Sequence, residues 1–176
     1  RPPRSTLFPY TTLFRSHVDL AEKLPGSDPA LPEHVAMGAG RPALIVPYAG
    51  EFESIGERIL VAWNRSPQAA RAVNDALPLL TQAKSVTVLE VDPPAETEES
   101  GTDIDRHLRR HGIVAEIART TGRGIDVADL LLSRAADASA DLIVMGVYGH
   151  SRRREIILGG VSRFIFQHMT MPVLMS

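Results

Sequence analysis

The chain has 176 residues, 44% of them hydrophobic and 23% charged, which suits one globular domain, or one plus a fragment. Lys plus Arg is 19 against 21 Asp plus Glu, a formal net charge of -2, so a general nucleic-acid binder, usually basic, is not expected. There is no cysteine, which excludes disulfide frameworks, thiol catalysis and Cys-based zinc sites and fits a reducing compartment.

No apolar run approaches the roughly 20 residues that span a membrane, and the first residues lack the long apolar core of a secretory signal. Arg1–Ser16 has neither a helical nor a strand period. Within it Thr6–Ser16, TLFPYTTLFRS, resembles the translation of a common short-read sequencing adapter. Residues 1–16 are therefore expected to be artefactual or disordered. His17–Ala30 is polar, carries Pro25, Gly26 and Pro29, and reads as loop. Leu31–Met37 suits a short helix ended by Gly38 and Gly40. Pro42–Val46 suits a short strand bounded by prolines. Tyr48–Gly56 reads as a linker, its core at 51–56.

A regular alternation then begins. Arg58–Trp63, RILVAW, is a buried-type strand. Ser66 suits a helix N-cap and Pro67 the first helical position. Ala69, Ala70, Val73, Ala76, Leu77 and Leu80 repeat at helical spacing, and Pro78 is expected to bend or end that helix. Val86–Val91 is the second strand, Asp92–Gly101 an acidic loop, and Ile104–His111 a helix stopped by Gly112. Ile113–Ala118 is the third strand. Asp126–Ala138 is a helix with Val127, Leu130, Leu131 and Ala135 facing inward. Leu142–Met145, Ser162–His168 and Pro172–Met175 complete the series as strand, helix and strand. Strand–helix alternation argues for parallel strands with crossovers on both faces. The continuous LIVM run fits a strand covered on both sides. The expected fold is an α/β, doubly wound open sheet, whose ligand crevice lies at the carboxyl ends of the strands where their order reverses.

Gly40–Val46 (GRPALIV) parallels Thr170–Ser176 (TMPVLMS), each with a proline opening a strand after a short helix-like stretch. Pro42 and Pro172 lie one domain length apart. Residues 17–50 are therefore expected to be the remnant of a first domain, and 57–176 a full domain of the same type.

The strongest motif starts at the fourth strand: Gly146, two residues, Gly149, nine residues, Gly159, Gly160, Val161, Ser162. Gly146 and Gly149 let the backbone leave the strand sharply and approach a ligand without a Cβ in the way. Gly159 and Gly160 precede the last helix, whose N-terminal amides suit phosphate oxygens, and Ser162 is placed to cap that helix or donate to a phosphate. This motif, the ADLIVMG before it, the closing MPVLMS and the opening RILVAWNRS together resemble the universal stress protein family over Glu57–Ser176.

The resemblance implies a Rossmann-like, five-stranded parallel sheet of the adenine nucleotide alpha hydrolase-like kind, in the order 3-2-1-4-5. It implies ATP as ligand, with Mg alongside it, in a pocket lined by Ala62, Asn64, Val91, Met145, Gly146, Tyr148, Gly149, Gly159, Gly160, Val161 and Ser162. It also implies pairing of last strands between two domains, either in a homodimer or within the chain through Pro42–Val46, and a cytoplasmic stress-response role. The chain departs from ATP-binding members at three places. Asn64 stands where they hold an acidic residue near the nucleoside, Gly160 replaces a hydroxyl residue, and Tyr148 occupies a position that is often histidine.

The remaining polar clusters carry no catalytic pattern. Arg152–Arg154 reads as a solvated face. His107 and His111 have the spacing of a metal pair, without a third ligand and among Arg106, Arg109 and Arg110. Asp103 and Asp105 favour a helix dipole, His150 and Ser151 belong to no recognisable triad, and Trp63 reads as core or interface. No catalysis is expected, since no general base sits in the motif. The function expected is nucleotide binding coupled to partner choice, and the alternative is an interaction module that dimerises through its last strand and binds no nucleotide.

Overall fold

The structure, a computed structural model, describes residues 12–15, 31–47, 49–93, 102–122, 124–147, 149–150, 157–158 and 160–176. Thr12–Arg15 is strand β1, Leu31–Gly38 helix α1 and Ala43–Val46 strand β2. The alternating series follows: β3 Arg58–Ala62, α2 Pro67–Leu80, β4 Ser85–Val91, α3 Thr102–Arg110, β5 Glu116–Thr120, α4 Val127–Asp137 and β6 Leu142–Met145. Two-residue strands β7 Gly149–His150 and β8 Ile157–Leu158 form a separate hairpin, before α5 Gly160–His168 and β9 Val173–Met175.

The main sheet runs β1-β2-β9-β6-β3-β4-β5. Read from β5 to β9, its all-parallel part is third, second, first, fourth and fifth strand of the alternating series. The sheet has seven strands rather than the five expected, because β2 adds antiparallel to β9, with Ile45 opposite Val173, and β1 adds parallel to β2. Thr12–Arg15 was expected to have no regular structure. It is a strand because the outer edge of β2 offers an open row of backbone groups, and pairing to such a row asks for no side-chain period.

Burial alternates along the strands as a doubly wound sheet demands. Ile59 and Val61 pack with Ala72, Val73, Ala76, Leu79 and Leu80 of α2 and with Ile104 and Leu108 of α3. Leu60, Leu89, Ile143 and Met145 pack on the other face with Ala128, Leu131 and Ala135 of α4 and with Ile165 and Phe166 of α5. β6 is buried along its whole length.

Local chemistry sets the helix ends. The Ala69 N–H donates to Ser66 Oγ at 3.1 Å, with Pro67 opening α2. The buried stripe of α2 includes Ala72 and Leu79 where Ala70 and Leu77 were expected. Pro78 does not end the helix, which runs on to Leu80; the Pro78 carbonyl accepts from Gln82 Nε2 at 2.9 Å and the Thr81 N–H reaches Leu77 O at 2.9 Å.

The third strand begins at Glu116 rather than Ile113. Ile113 belongs to the end of α3: its N–H donates to Leu108 O at 3.0 Å, the Gly112 N–H to Arg109 O at 3.0 Å, and Gly112 takes φ +77. This is a Schellman stop, which needs a left-handed residue and sets an apolar one just beyond it. Val127, expected inside, opens α4 at the surface with 36% exposure. The last helix starts at Gly160, two residues earlier than its pattern suggested.

At the opposite end of the sheet from the pocket described below, Asp141 gathers the chain entering β3. Its carboxylate accepts from the backbone N–H groups of Gly56, Glu57 and Arg58 at 3.1, 3.0 and 2.9 Å. No helix among the described residues is long and apolar enough to cross a membrane.

Candidate functional site

β3 ends at Ala62 and its chain turns away through Asn64 and Arg65, while β4 continues to Val91. The last ladder bond between them runs from the Trp63 N–H to Leu89 O at 2.9 Å. In a parallel ladder alternate residues direct both backbone groups to the same neighbour, so Val91 points its N–H and C=O past the end of β3. A notch opens there, at the carboxyl ends of the central strands. It is a pocket of about 110 Å³ lined by Ala62, Trp63, Asn64, Leu89, Val91, Val127, Leu131, Met145, Gly146 and Val161. That is less than the roughly 300–1,000 Å³ of whole small-molecule sites, and it suits one apolar moiety of a larger ligand.

Six of the residues expected at a pocket converge on it: Ala62, Asn64, Val91, Met145, Gly146 and Val161. Gly149 lies instead in the small hairpin, paired with Leu158. Tyr148, Gly159 and the Arg152–Arg154 run lie outside the described residues. Trp63, Leu89, Val127 and Leu131 were not expected there. Leu89 and Val91 share a strand face, so the period-2 pattern of β4 already implied that where one lines a site the other does too; Val127 and Leu131 repeat that relation one helical turn apart.

Three of the motif residues show features the sequence did not reveal. A Cβ on Gly146 would stand 2.6 Å from the Gln68 carbonyl carbon and 2.7 Å from Ala69 N. The glycine is therefore required by the first turn of α2, which packs on the end of β6. Gly160 does not precede α5 but opens it, is exposed, and has no atom of the described residues within 4 Å of an added Cβ. Ser162 is consequently inside the first turn and does not cap the helix. It is fully buried, and its Oγ has no hydrogen-bond partner among the described residues. A buried hydroxyl left unpaired costs about 1–3 kcal/mol.

Asn64 is exposed, and its Oδ1 accepts from the Ser66 N–H at 3.2 Å. The turn that carries it is held from below by Glu90, a residue with 2% exposure. Arg65, at φ +62, donates from Nε and Nη2 to Glu90 Oε1 at 3.2 and 3.1 Å, and Arg119 Nε donates to Oε2 at 3.2 Å. A buried carboxylate needs such pairing. Nothing in the strand run SVTVLEV marks Glu90 for this, since its partners come from β5 and from the turn after β3.

Among the described residues no group of three or more His, Cys, Asp or Glu side chains is placed to hold a metal. His107 and His111 have ring centroids 5.0 Å apart. Burial first, then the neighbouring His111 and Arg110, lowers the His107 pKa below its ordinary 6.5, which disfavours the charged ring.

The model of the universal stress protein family matches residues 56–176. A search of curated protein sequences finds no match. Among solved structures, a universal stress protein from Archaeoglobus fulgidus DSM 4304 superposes with a TM-score of 0.72 at 20% identity, over 94% of this chain and 61% of that one. The chain thus spans less than two thirds of that relative. UspA from Lactobacillus plantarum superposes at 0.52 and 16% identity, covering 70% of this chain and 99% of its own. A universal stress protein in complex with cAMP superposes at 0.56 and 21% identity, over 68% of this chain and 94% of that one. At such identities the likeness of these structures is one of fold. The family match runs over most of the chain and takes in every strand that shapes the pocket, and the chain belongs to the universal stress protein family.

Proposed function

We propose that this chain is a nucleotide-binding universal stress protein, cytoplasmic, that acts through ligand binding and partner choice without catalysis of its own. The observation that carries the reading is the notch beyond β3, where the Val91 backbone groups, unpaired among the described residues, meet apolar walls. A donor–acceptor pair between apolar walls suits a flat base. The buried Ser162 hydroxyl in the first turn of α5, without a partner among the described residues, supports the phosphate end of the same ligand. The relative solved with cAMP gives the reading a precedent within the family. ATP is the ligand proposed. Mg would accompany its phosphates rather than sit in a protein cage, as this ion commonly does.

Equilibrium binding of labelled ATP tests the reading. Val127 stands at the exposed rim of the pocket, so Val127→Trp fills the notch from outside and spares the core. The expected result is at least a tenfold loss of affinity, about 1.4 kcal/mol, with an unchanged unfolding midpoint. Unchanged affinity would place the nucleotide elsewhere.

The partner proposed is a second domain of the same type, met through β9. β2 now pairs antiparallel with β9 across Ala43–Ile45 and Val173–Met175, and we read residues 17–50 as the remnant of such a domain. Removing them leaves β9 an open edge, which needs cover. In sedimentation, residues 51–176 are expected to dimerise while the whole chain stays monomeric. Equal masses per particle in the two samples would count against the substitution.

A further inference from the structure

One wall of the notch is a turn rather than a strand. The last ladder bond between β3 and β4 is that of the Trp63 N–H on Leu89 O, and the chain beyond it, with Trp63 and Asn64 among the lining residues, leaves the sheet. Local chemistry does not favour the shape of this turn. Arg65 sits at φ +62, a left-handed conformation that residues other than Gly, Asn and Asp resist. The bond from the Ser66 N–H to Asn64 Oδ1 lies within the turn and does not anchor it to its neighbours. Arg65 itself makes the tie to the sheet, donating from Nε and Nη2 to Glu90 Oε1 at 3.2 and 3.1 Å.

Glu90 does this from outside the pocket. Leu89 and Val91 line the notch, so the residue between them turns to the opposite face of the sheet, where Val88 and Trp63 pack. There its carboxylate is buried, and its second oxygen accepts from Arg119 Nε at 3.2 Å. Loss of one partner from a buried pair is strongly felt, whereas an exposed pair contributes little.

We infer that Glu90 is a positioning residue for the ligand: acting through Arg65, it fixes the turn that closes the notch and so raises nucleotide affinity. This rests on the nucleotide-binding reading above. With the turn released, the notch keeps its floor of Ala62, Val91 and Met145 but has its wall in place for only part of the time. Apparent affinity then falls by that fraction.

The test compares the full chain with Glu90→Gln, Arg65→Gln and Arg119→Gln, using labelled ATP under conditions where each is folded. Trp63, the one tryptophan of the chain, reports the turn by its emission without ligand. Glu90→Gln is expected to weaken ATP binding about fivefold, the loss for a turn in place about a fifth of the time. Charge alone predicts the opposite sign, since a negative group near an anionic ligand is removed. Arg65→Gln should match Glu90→Gln, and both should move Trp63 emission to longer wavelength. Arg119→Gln removes the same unit of charge as Arg65→Gln and breaks the other half of the bridge, yet leaves Arg65 on Oε1. Its affinity and emission are expected to stay close to the parent's. Should Glu90→Gln not fold, Arg65→Gln, at an exposed residue, carries the same comparison with Arg119→Gln. A purely structural role would lower the unfolding midpoint in all the variants and leave folded-state affinity and emission unmoved; that result overturns the inference, as does equal weakening by Arg65→Gln and Arg119→Gln. In either case the parent still binds ATP and the nucleotide reading stands. A parent chain that fails to bind ATP at millimolar concentration overturns that reading, and the inference with it.

Discussion

Gly146→Ala is expected to destabilise the chain by about 2–4 kcal/mol, at the upper end of what overpacking by one methyl group costs. The added Cβ would lie 2.6 Å from the Gln68 carbonyl carbon, 2.7 Å from Ala69 N and 2.8 Å from Gln68 Cβ. Two of the three are backbone atoms of the first turn of α2, so no rotamer change relieves them. That turn is itself pinned, by the Ala69 N–H on Ser66 Oγ and by the Pro67 ring. Either α2 slides away from β6 or the end of β6 moves, and each opens the core between Val144 and Ala72, Val73 and Ala76. Urea denaturation reads this as a lower midpoint at an unchanged m-value. Gly160→Ala is the matched control: a Cβ there meets nothing within 4 Å among the described residues, so its effect should stay within about 0.5 kcal/mol. An alanine at 146 as stable as the parent would mean that α2 is not seated against Gly146. Ligand affinity is also expected to fall in Gly146→Ala, because Gly146 and Met145 form one wall of the pocket.

Asp141→Ala should cost about 2–3 kcal/mol, by exposing three backbone donors that a single carboxylate now satisfies. Gly56, Glu57 and Arg58 present consecutive N–H groups at 2.9–3.1 Å, and charge-assisted bonds of this kind are the strong ones. The site is partly exposed, so water takes up some of the loss. Asp141→Asn keeps one accepting oxygen and is expected to lose about half as much. The two losses are read from the same urea titrations, and equal stability of Asp141→Ala and the parent would show that the entry to β3 needs no clamp. Because Asp141 lies just before β6 and remote from the notch, ATP affinity should not change in either variant.

How far these features could be read without coordinates differs from one to the next. The alternation of strands and helices was legible because each element carries its own period, and the LIVM run announces a strand buried on both faces. The cap at Ser66 was legible for the same local reason. The start of β5 was not. Ile113 is apolar and lies next to a strand, yet it completes the stop of α3, and an apolar residue looks the same in either role. Strand β1 was illegible because backbone pairing to an open edge leaves no trace in side-chain pattern. At the site, the carboxyl-end placement of Ala62, Val91 and Met145 followed from topology. Trp63 and Val127 reach the notch only through the turn after β3 and the rim of α4.

The amino-acid sequence by itself determined the family, the alternating elements and the glycine-bearing turn after β6, since each depends on residues near one another in the chain. Tertiary structure decided what those residues are for. The space beside Gly146 is taken up by the first turn of α2, Ser162 turns inward instead of capping, and Glu90 gathers two arginines from other segments. The reason is physical: a steric gap, an unpaired hydroxyl and a buried charge are defined by neighbours distant in sequence, and only folding brings those neighbours within contact distance.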